Sequence, residues 1–334
     1  MQERKSVVQP GTILSICDDP DLQLMCAKNY VADKMPSQAP STGGAGTHSE
    51  QREKICLAYL STDFRRHAMA YLITRLLEVH DRSRFKVIGI SVGRDDASDE
   101  RQRIIAAVDE FHSVEAKSDR EIARLIHECD IDILIDLIGH TEGGRLGILA
   151  QRPAPVQASY IGYPGTTGAA FIDYLITDEI VVPDENQRFY SENIVRLPSC
   201  YLAYDPGGKT LSATPTRAEV GLPERGFVFC SFNNSYKIRP TVFDTWMRLL
   251  RAVEGSVLWL IADNPAAEAN LRKEAAQRGV DPSRLVFAER VGLSEHLSRH
   301  RLADLFLDTL PYNAHTTACD ALWMGLPLVT CAGQ

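Results

Sequence analysis

From residue 54 onward, short apolar runs alternate with stretches of helical periodicity, and the alternation starts afresh in the second half of the chain. Strand-length runs fall at 55–60, 85–90, 111–114, 131–138, 156–161 and 174–177, with helices predicted near 68–79, 98–107 and 119–128. Strands separated by helices are joined by crossovers and pair in parallel, so both faces of the sheet must be covered. The run Ile131-Asp-Ile-Leu-Ile-Asp-Leu-Ile138 is apolar almost throughout and reads as a central strand. After a loop-like stretch at 204–224, strands recur near 227–232, 256–261, 285–288, 304–308 and 327–330. Helices accompany them near 240–252, 265–278, 294–301 and 315–324. The fold class is therefore α/β, with two successive doubly wound lobes. The last residues, to Gln334, follow a strand directly, so the second lobe is expected to be truncated.

Three segments result. Residues 1–50 form an N-terminal helical segment, opened by Asp18-Asp19-Pro20, and a flexible linker at 35–50 rich in Ser, Thr, Gly and Pro. Residues 51–205 make a first lobe and 206–334 a second. No internal repeat of 20–50 residues is visible.

Bulk properties exclude some roles. A net charge of −8 argues against a broad nucleic-acid surface. No apolar run reaches the roughly 20 residues of a membrane helix, and no signal core follows Met1. The eight cysteines are scattered without a CxxC pair, which points to small buried hydrophobes in a reducing, cytoplasmic setting. There is neither a GxGxxG fingerprint nor a GxxxxGK[ST] loop. Asp130-Ile-Asp132 matches the acidic pair of metal-dependent glycosyltransferases, but it opens a buried strand and reads as structural. No cluster has metal-ligand spacing.

In open α/β sheets, ligands bind beyond the carboxyl ends of the strands. The segments in those places are Ser61–His67, Gly139–Gly144, Gly162–Gly168, Asn233–Lys237 and Thr309–Thr317, all polar, glycine-rich or titratable. Two such edges facing each other would form an interdomain cleft. His315-Thr316-Thr317 precedes a helix, with threonine expected at the cap, and backbone N–H groups there suit a diphosphate. Asp320, one turn in, is placed to reach a ribose hydroxyl. Lys237 would neutralise charge on a leaving diphosphate. His67 would act as a base or orient a sugar. Each has a plainer reading: a threonine cap, a first-turn acid, a solvated lysine, a capping histidine. His127, on a helix face, is a possible addition for which the structural reading is stronger.

Together these loops resemble the catalytic region of the protein O-GlcNAc transferase family, glycosyltransferase family 41, which includes SPINDLY-type plant proteins and bacterial relatives. The matching stretches are Thr62–His67, Arg152–Gln157, Gly162–Gly168 with Asp173-Tyr174, Phe232–Lys237, and Leu302–Thr309 running into His315–Asp320 and Leu322-Trp323. They keep the family's order across residues 54–334. The resemblance implies a GT-B fold with the donor between the lobes. It also implies inverting, metal-independent transfer of N-acetylglucosamine or another hexose from a UDP-sugar to Ser/Thr hydroxyls of a protein acceptor. No cofactor, metal, membrane or nucleic acid is expected to take part.

Position by position, His67 matches the family's essential histidine and Lys237 the lysine that stabilises the diphosphate. His315, Thr316 and Thr317 match the diphosphate turn, and Asp320 the ribose ligand. His296 and Arg299 match nucleotide-side residues, and Gly162 and Pro164 the wall of the sugar pocket. Asn234 stands where the best-known members have Gln, and Leu293 where they have Lys. The tetratricopeptide repeats and C-terminal helices usual in the family are not seen, so reduced activity is expected. A GDP-fucose-dependent protein O-fucosyltransferase, a non-catalytic nucleotide-sugar-binding fragment, and an epimerase or phosphorylase of the same fold are the alternatives.

Overall fold

The computed structural model describes residues 8–35, 53–205 and 210–333. The stretch at 36–52, which holds nearly all of the expected linker, lies outside the described residues. The chain parts into two compact units after Asp205.

The first unit begins with α1 (Pro10–Ile16) and α2 (Pro20–Lys34). Asp19 caps α2 by accepting the N–H groups of Asp21 and Leu22, and Pro20 occupies the first helical position. There follow β1 (Ile55–Ser61), α3 (Ala68–Val79), β2 (Phe85–Ser91), α4 (Asp99–Ala106), β3 (Glu110–Ser113), α5 (Asp119–Glu128), β4 (Ile133–Asp136), α6 (Leu146–Leu149), β5 (Val156–Tyr160), β6 (Tyr174–Asp178) and β7 (Asn193–Leu197). Ser98 caps α4, and Ser118 with Glu121 forms a reciprocal capping box on α5. The seven strands are parallel in the order β3-β2-β1-β4-β5-β6-β7.

Alternate residues of β1 face opposite layers, as a pleated strand requires. Cys56, Ala58 and Leu60 join Ile88, Ile122, Ile126 and Leu134 in one apolar cluster. Leu57 and Tyr59 join Ile73, Leu77, Val87 and Ile104 in the other. Both faces being buried is why these strands read as continuous apolar runs.

The second unit holds β8 (Val228–Ser231), α7 (Pro240–Ala252), β9 (Val257–Ile261), α8 (Pro265–Gln277), β10 (Leu285–Ala288), α9 (Leu293–Arg299), β11 (Leu305–Leu307), α10 (Thr316–Trp323) and β12 (Leu328–Val329). Its parallel order is β10-β9-β8-β11-β12. Phe229, Leu258 and Leu260 pack under Val242, Trp246 and Leu250 of α7. Cys230, Trp259 and Phe306 face the other layer. Each unit is thus a doubly wound sheet, together the α/β pair of the GT-B type.

Three expectations need adjustment. The strand expected at 131–138 spans only β4, because the Asp136 carboxylate accepts the N–H groups of Ile138 (3.0 Å) and Gly139 (2.9 Å) and turns the chain out of the sheet. Asp132 is structural as read: its carboxylate accepts the Cys56 N–H at 2.7 Å. β7 and α6 give no clear sequence signal, since β7 is a half-exposed edge strand without an apolar run and α6 has four residues. All eight cysteines are free thiols, but only Cys56 and Cys230 are buried; Cys17, Cys26, Cys129 and Cys319 are partly buried, and Cys200 and Cys331 are exposed.

Candidate functional site

In each unit one strand has its neighbours on opposite sides reached by crossovers of opposite direction, and that reversal point is where doubly wound sheets bind ligands. In the first unit it lies between β1 and β4, and in the second between β8 and β11. The loops leaving these four strands carry His67, Gly139–Gly144, Lys237 and His315.

In the first unit, β1 runs into Thr62–Arg66, and His67 is the N-cap of α3. Its Nδ1 accepts the Met69 N–H at 3.2 Å. A backbone N–H can only donate, so the neutral ring carries its proton on Nε2. The side chain is 43% exposed, and Asp63 Oδ2 lies 3.6 Å from Nδ1. Partial burial pushes the pKa below the ordinary imidazole value, Asp63 pulling it back up and Arg65 adding to the fall. An open pocket of about 740 Å³ is lined here by Thr62, Asp63, Arg65, His67, Gly143 and Gly162. Gly162 is required sterically: a Cβ there would stand 2.0 Å from the Leu137 carbonyl oxygen. Pro164 is half-buried in the same loop. The loop is held from behind by Glu192, whose carboxylate accepts the Thr167 N–H (2.6 Å) and the Thr166 hydroxyl (2.7 Å). His140 Nε2 donates to the Thr167 carbonyl at 2.7 Å.

Arg101 carries no mark of its role in the sequence. Only 1% exposed, it donates to the Phe64 carbonyl (2.8 Å), Ser91 Oγ (3.1 Å) and Ser113 Oγ (2.7 Å), tying the loop before His67 to β2 and β3.

In the second unit, Lys237 ends a 3-10 turn, Ser235–Lys237, and is 8% exposed. Its ammonium donates to the Asn313 carbonyl at 3.0 Å and sits 3.9 Å from the centre of the Tyr312 ring. Burial lowers its pKa to about 8 despite the opposing charge of Asp308. His315, not a threonine, is the N-cap of α10, and its side chain makes no capping bond. Thr316 and Thr317 are therefore the first two helical residues, where backbone N–H groups lack intrahelical partners. Thr317 Oγ1 donates to Asn233 Oδ1 at 2.7 Å. Burial and the nearby Lys237 charge lower the His315 pKa to about 4, leaving a neutral ring. Asp320 is buried one turn along α10.

Asn234 Oδ1 accepts from Arg290 Nη2 at 2.9 Å, a partner the sequence did not disclose. On α9, Arg299 Nη2 donates to His296 Nδ1 at 2.5 Å and Nη1 to the Glu289 carbonyl at 2.7 Å. The Arg299 guanidinium stacks 4.7 Å from the Phe232 ring. An arginine cannot accept, so His296 also carries its neutral proton on Nε2. Burial, then His300 and Arg299, hold the His296 pKa at about 2. The structure thus gathers His296 and Arg299 in one group beside Arg290, the partner of Asn234, and Lys237, His315 and Thr317 in another. His127 belongs to neither set: it is exposed in the last turn of α5, at the edge where β4 begins, opposite the loops that leave the strands.

The profile of glycosyl transferase family 41 matches residues 28–208 and 209–334. A probable UDP-N-acetylglucosamine–peptide N-acetylglucosaminyltransferase SEC of Arabidopsis thaliana is 38% identical over 97% of this chain and 34% of its own length. A similarly named SPINDLY protein of the same plant is 37% identical over 84% of this chain and 31% of its own. The chain thus spans about a third of these relatives. Among solved structures, a mutant of the Thermobaculum terrenum O-GlcNAc transferase superposes with a TM-score of 0.84 at 31% identity, covering 96% of this chain and 60% of that one. The chain belongs to glycosyl transferase family 41.

Proposed function

We propose that this chain carries the catalytic groups of a glycosyltransferase that moves N-acetylglucosamine from UDP to Ser or Thr hydroxyls of proteins. The observation that carries the reading is the cluster at the β8/β11 reversal, where a buried ammonium, a neutral histidine and the start of α10 converge. A nucleoside diphosphate is the ligand such a cluster suits: a helix N-terminus and a desolvated cation both favour anionic oxygens. The names of the Arabidopsis and Thermobaculum relatives support the sugar and the peptide acceptor.

In this reading the acceptor oxygen attacks the anomeric carbon from the face opposite the diphosphate. The bond from that carbon to the β-phosphate oxygen breaks, UDP leaves with the electron pair, the proton of the acceptor hydroxyl passes to solvent, and configuration inverts. Lys237 and the first turn of α10 meet the charge that builds on the diphosphate, the work a divalent cation does elsewhere. His296 Nε2–H and Asp320 serve the nucleoside. His67, with Nδ1 engaged by Met69, offers an Nε2–H donor to the sugar or acceptor. That tautomer favours orientation of the substrate over proton abstraction by His67. Free thiols throughout fit a reducing compartment, the cytoplasm. Among the described residues no helix is long and apolar enough to cross a membrane.

The test is calorimetric titration of the chain with UDP, UDP-N-acetylglucosamine, UDP-glucose and GDP-fucose, beside Lys237→Ala. UDP and UDP-N-acetylglucosamine are expected to bind, and the variant to bind them more weakly. Preference for GDP-fucose would replace the sugar assignment, and a folded chain that binds none would overturn the reading.

A further inference from the structure

Resting on the donor site proposed above, we propose that Asp308 is its positioning residue: one buried carboxylate on which the separate contacts for the diphosphate are assembled. Asp308 directly follows β11 and is 8% exposed. Its Oδ1 accepts the N–H groups of Thr309 and Ala314, both at 2.7 Å. Its Oδ2 accepts the Thr330 hydroxyl at 2.7 Å and Asn313 Nδ2 at 3.1 Å. Asn233 Nδ2 approaches Oδ1 at 3.4 Å.

Three of these partners lead to a residue of the cluster in one step. Asn313 presents the carbonyl that receives the Lys237 ammonium. Ala314 immediately precedes His315. Asn233 receives the Thr317 hydroxyl. The turn 309–315 folds back on a single anion because a buried carboxylate with no ion pair among the described residues must be satisfied by donors, and the turn supplies them.

The same charge acts on Lys237. The groups facing that ammonium are Asp308 beyond β11, Tyr312 and Asn313 in the turn, and His315 at the start of α10. His315 is neutral and Tyr312 uncharged, so Asp308 is the charge among them that opposes the effect of burial. It keeps Lys237 cationic until a diphosphate takes over that role.

The test titrates the full chain with UDP and with uridine, across pH 6.5 to 9.5, for wild type, Asp308→Asn and Asn233→Ala. Asp308→Asn is expected to weaken UDP by about tenfold or more, the loss of charge-assisted hydrogen bonds, and to leave uridine within about twofold. The alkaline fall in UDP affinity, set by Lys237 losing its proton, should move down by about one pH unit, as loss of a neighbouring opposite charge requires. A general loss of structure would weaken UDP and uridine together and leave the midpoint in place, so either result overturns the proposal. Asn233→Ala should weaken UDP alone without moving the midpoint. Should Asp308→Asn fail to fold, an Asn233→Ala chain that binds UDP like wild type overturns the proposal. A wild type that ignores UDP overturns the donor reading itself and this inference with it, whereas normal wild-type binding with an indifferent Asp308→Asn counts against Asp308 alone.

Discussion

Replacing Lys237 with methionine is expected to make the second unit more stable while nearly abolishing transfer. The lysine's folded pKa of about 8 lies below its ordinary 10.5. Between those two values the unfolded chain binds more protons than the folded one, so this group's contribution to stability rises with pH there. Below about pH 8 the folded state carries the whole penalty of a desolvated ammonium. At about 1.4 kcal/mol per pH unit, the difference of 2.5 amounts to roughly 3 kcal/mol. Methionine removes that penalty but forfeits the bond to the Asn313 carbonyl and the contact with Tyr312, together about 2 kcal/mol. A net gain of about 1 kcal/mol remains at pH 7, and it should shrink as pH rises from 8 toward 10.5. All three tryptophans, Trp246, Trp259 and Trp323, lie in the second unit, so denaturant unfolding followed by their fluorescence reads this unit directly. Turnover of UDP-N-acetylglucosamine should fall by about 10²–10³, the usual effect of removing one stabiliser of developing charge. A variant less stable than wild type at pH 7, or a stability difference indifferent to pH, would refute the account of a functionally placed, energetically costly lysine.

The histidine at the α3 N-cap separates structure from chemistry. His67→Ala should lose about 1 kcal/mol of stability with its capping bond, whereas His67→Asn, a good cap, should restore most of that stability in thermal melts but not the activity. Gly162→Ala places a methyl group 2.0 Å from the Leu137 carbonyl oxygen, so β4 and the 162–168 loop must separate, and a destabilisation of about 3 kcal/mol with collapse of sugar transfer is expected in unfolding and turnover assays. Arg101→Met strips the donors that hold the Phe64 carbonyl and two serine hydroxyls, leaving Asp95 without the guanidinium 3.0 Å away. A loss of about 3 kcal/mol is expected by denaturant unfolding, because buried acceptors are left unmet.

How much of this could be read from the residues alone depended on the length scale of the physics. Helices such as 68–79, 119–128 and 240–252 coincide with α3, α5 and α7 as observed, since their caps and prolines are local signals. The strands appear as apolar runs because burial on both faces leaves no alternation to misread. Reading the carboxyl ends of those strands located the loops that bear His67, Lys237 and His315, and resemblance gave each a role to test. His127 fell outside because a helical histidine carries no mark of which end of the sheet its helix reaches.

What the sequence determined by itself was the class of fold, the order of its elements and the family, all functions of patterns within about twenty consecutive residues or of motif order. Only the tertiary structure decided the partnerships: Asp308 with the turn at 309–315 and with Thr330, Arg290 with Asn234, Arg101 with the ends of three strands, and the tautomers of His67 and His296. The physical reason is that these contacts join loops brought together by the strand order β3-β2-β1-β4 and β9-β8-β11, which places residues as distant as Asn233 and Thr317, 84 apart, within hydrogen-bond reach. A buried carboxylate or guanidinium is costly until its donors or acceptors arrive from elsewhere in the chain, and a linear reading shows the charge but not what meets it.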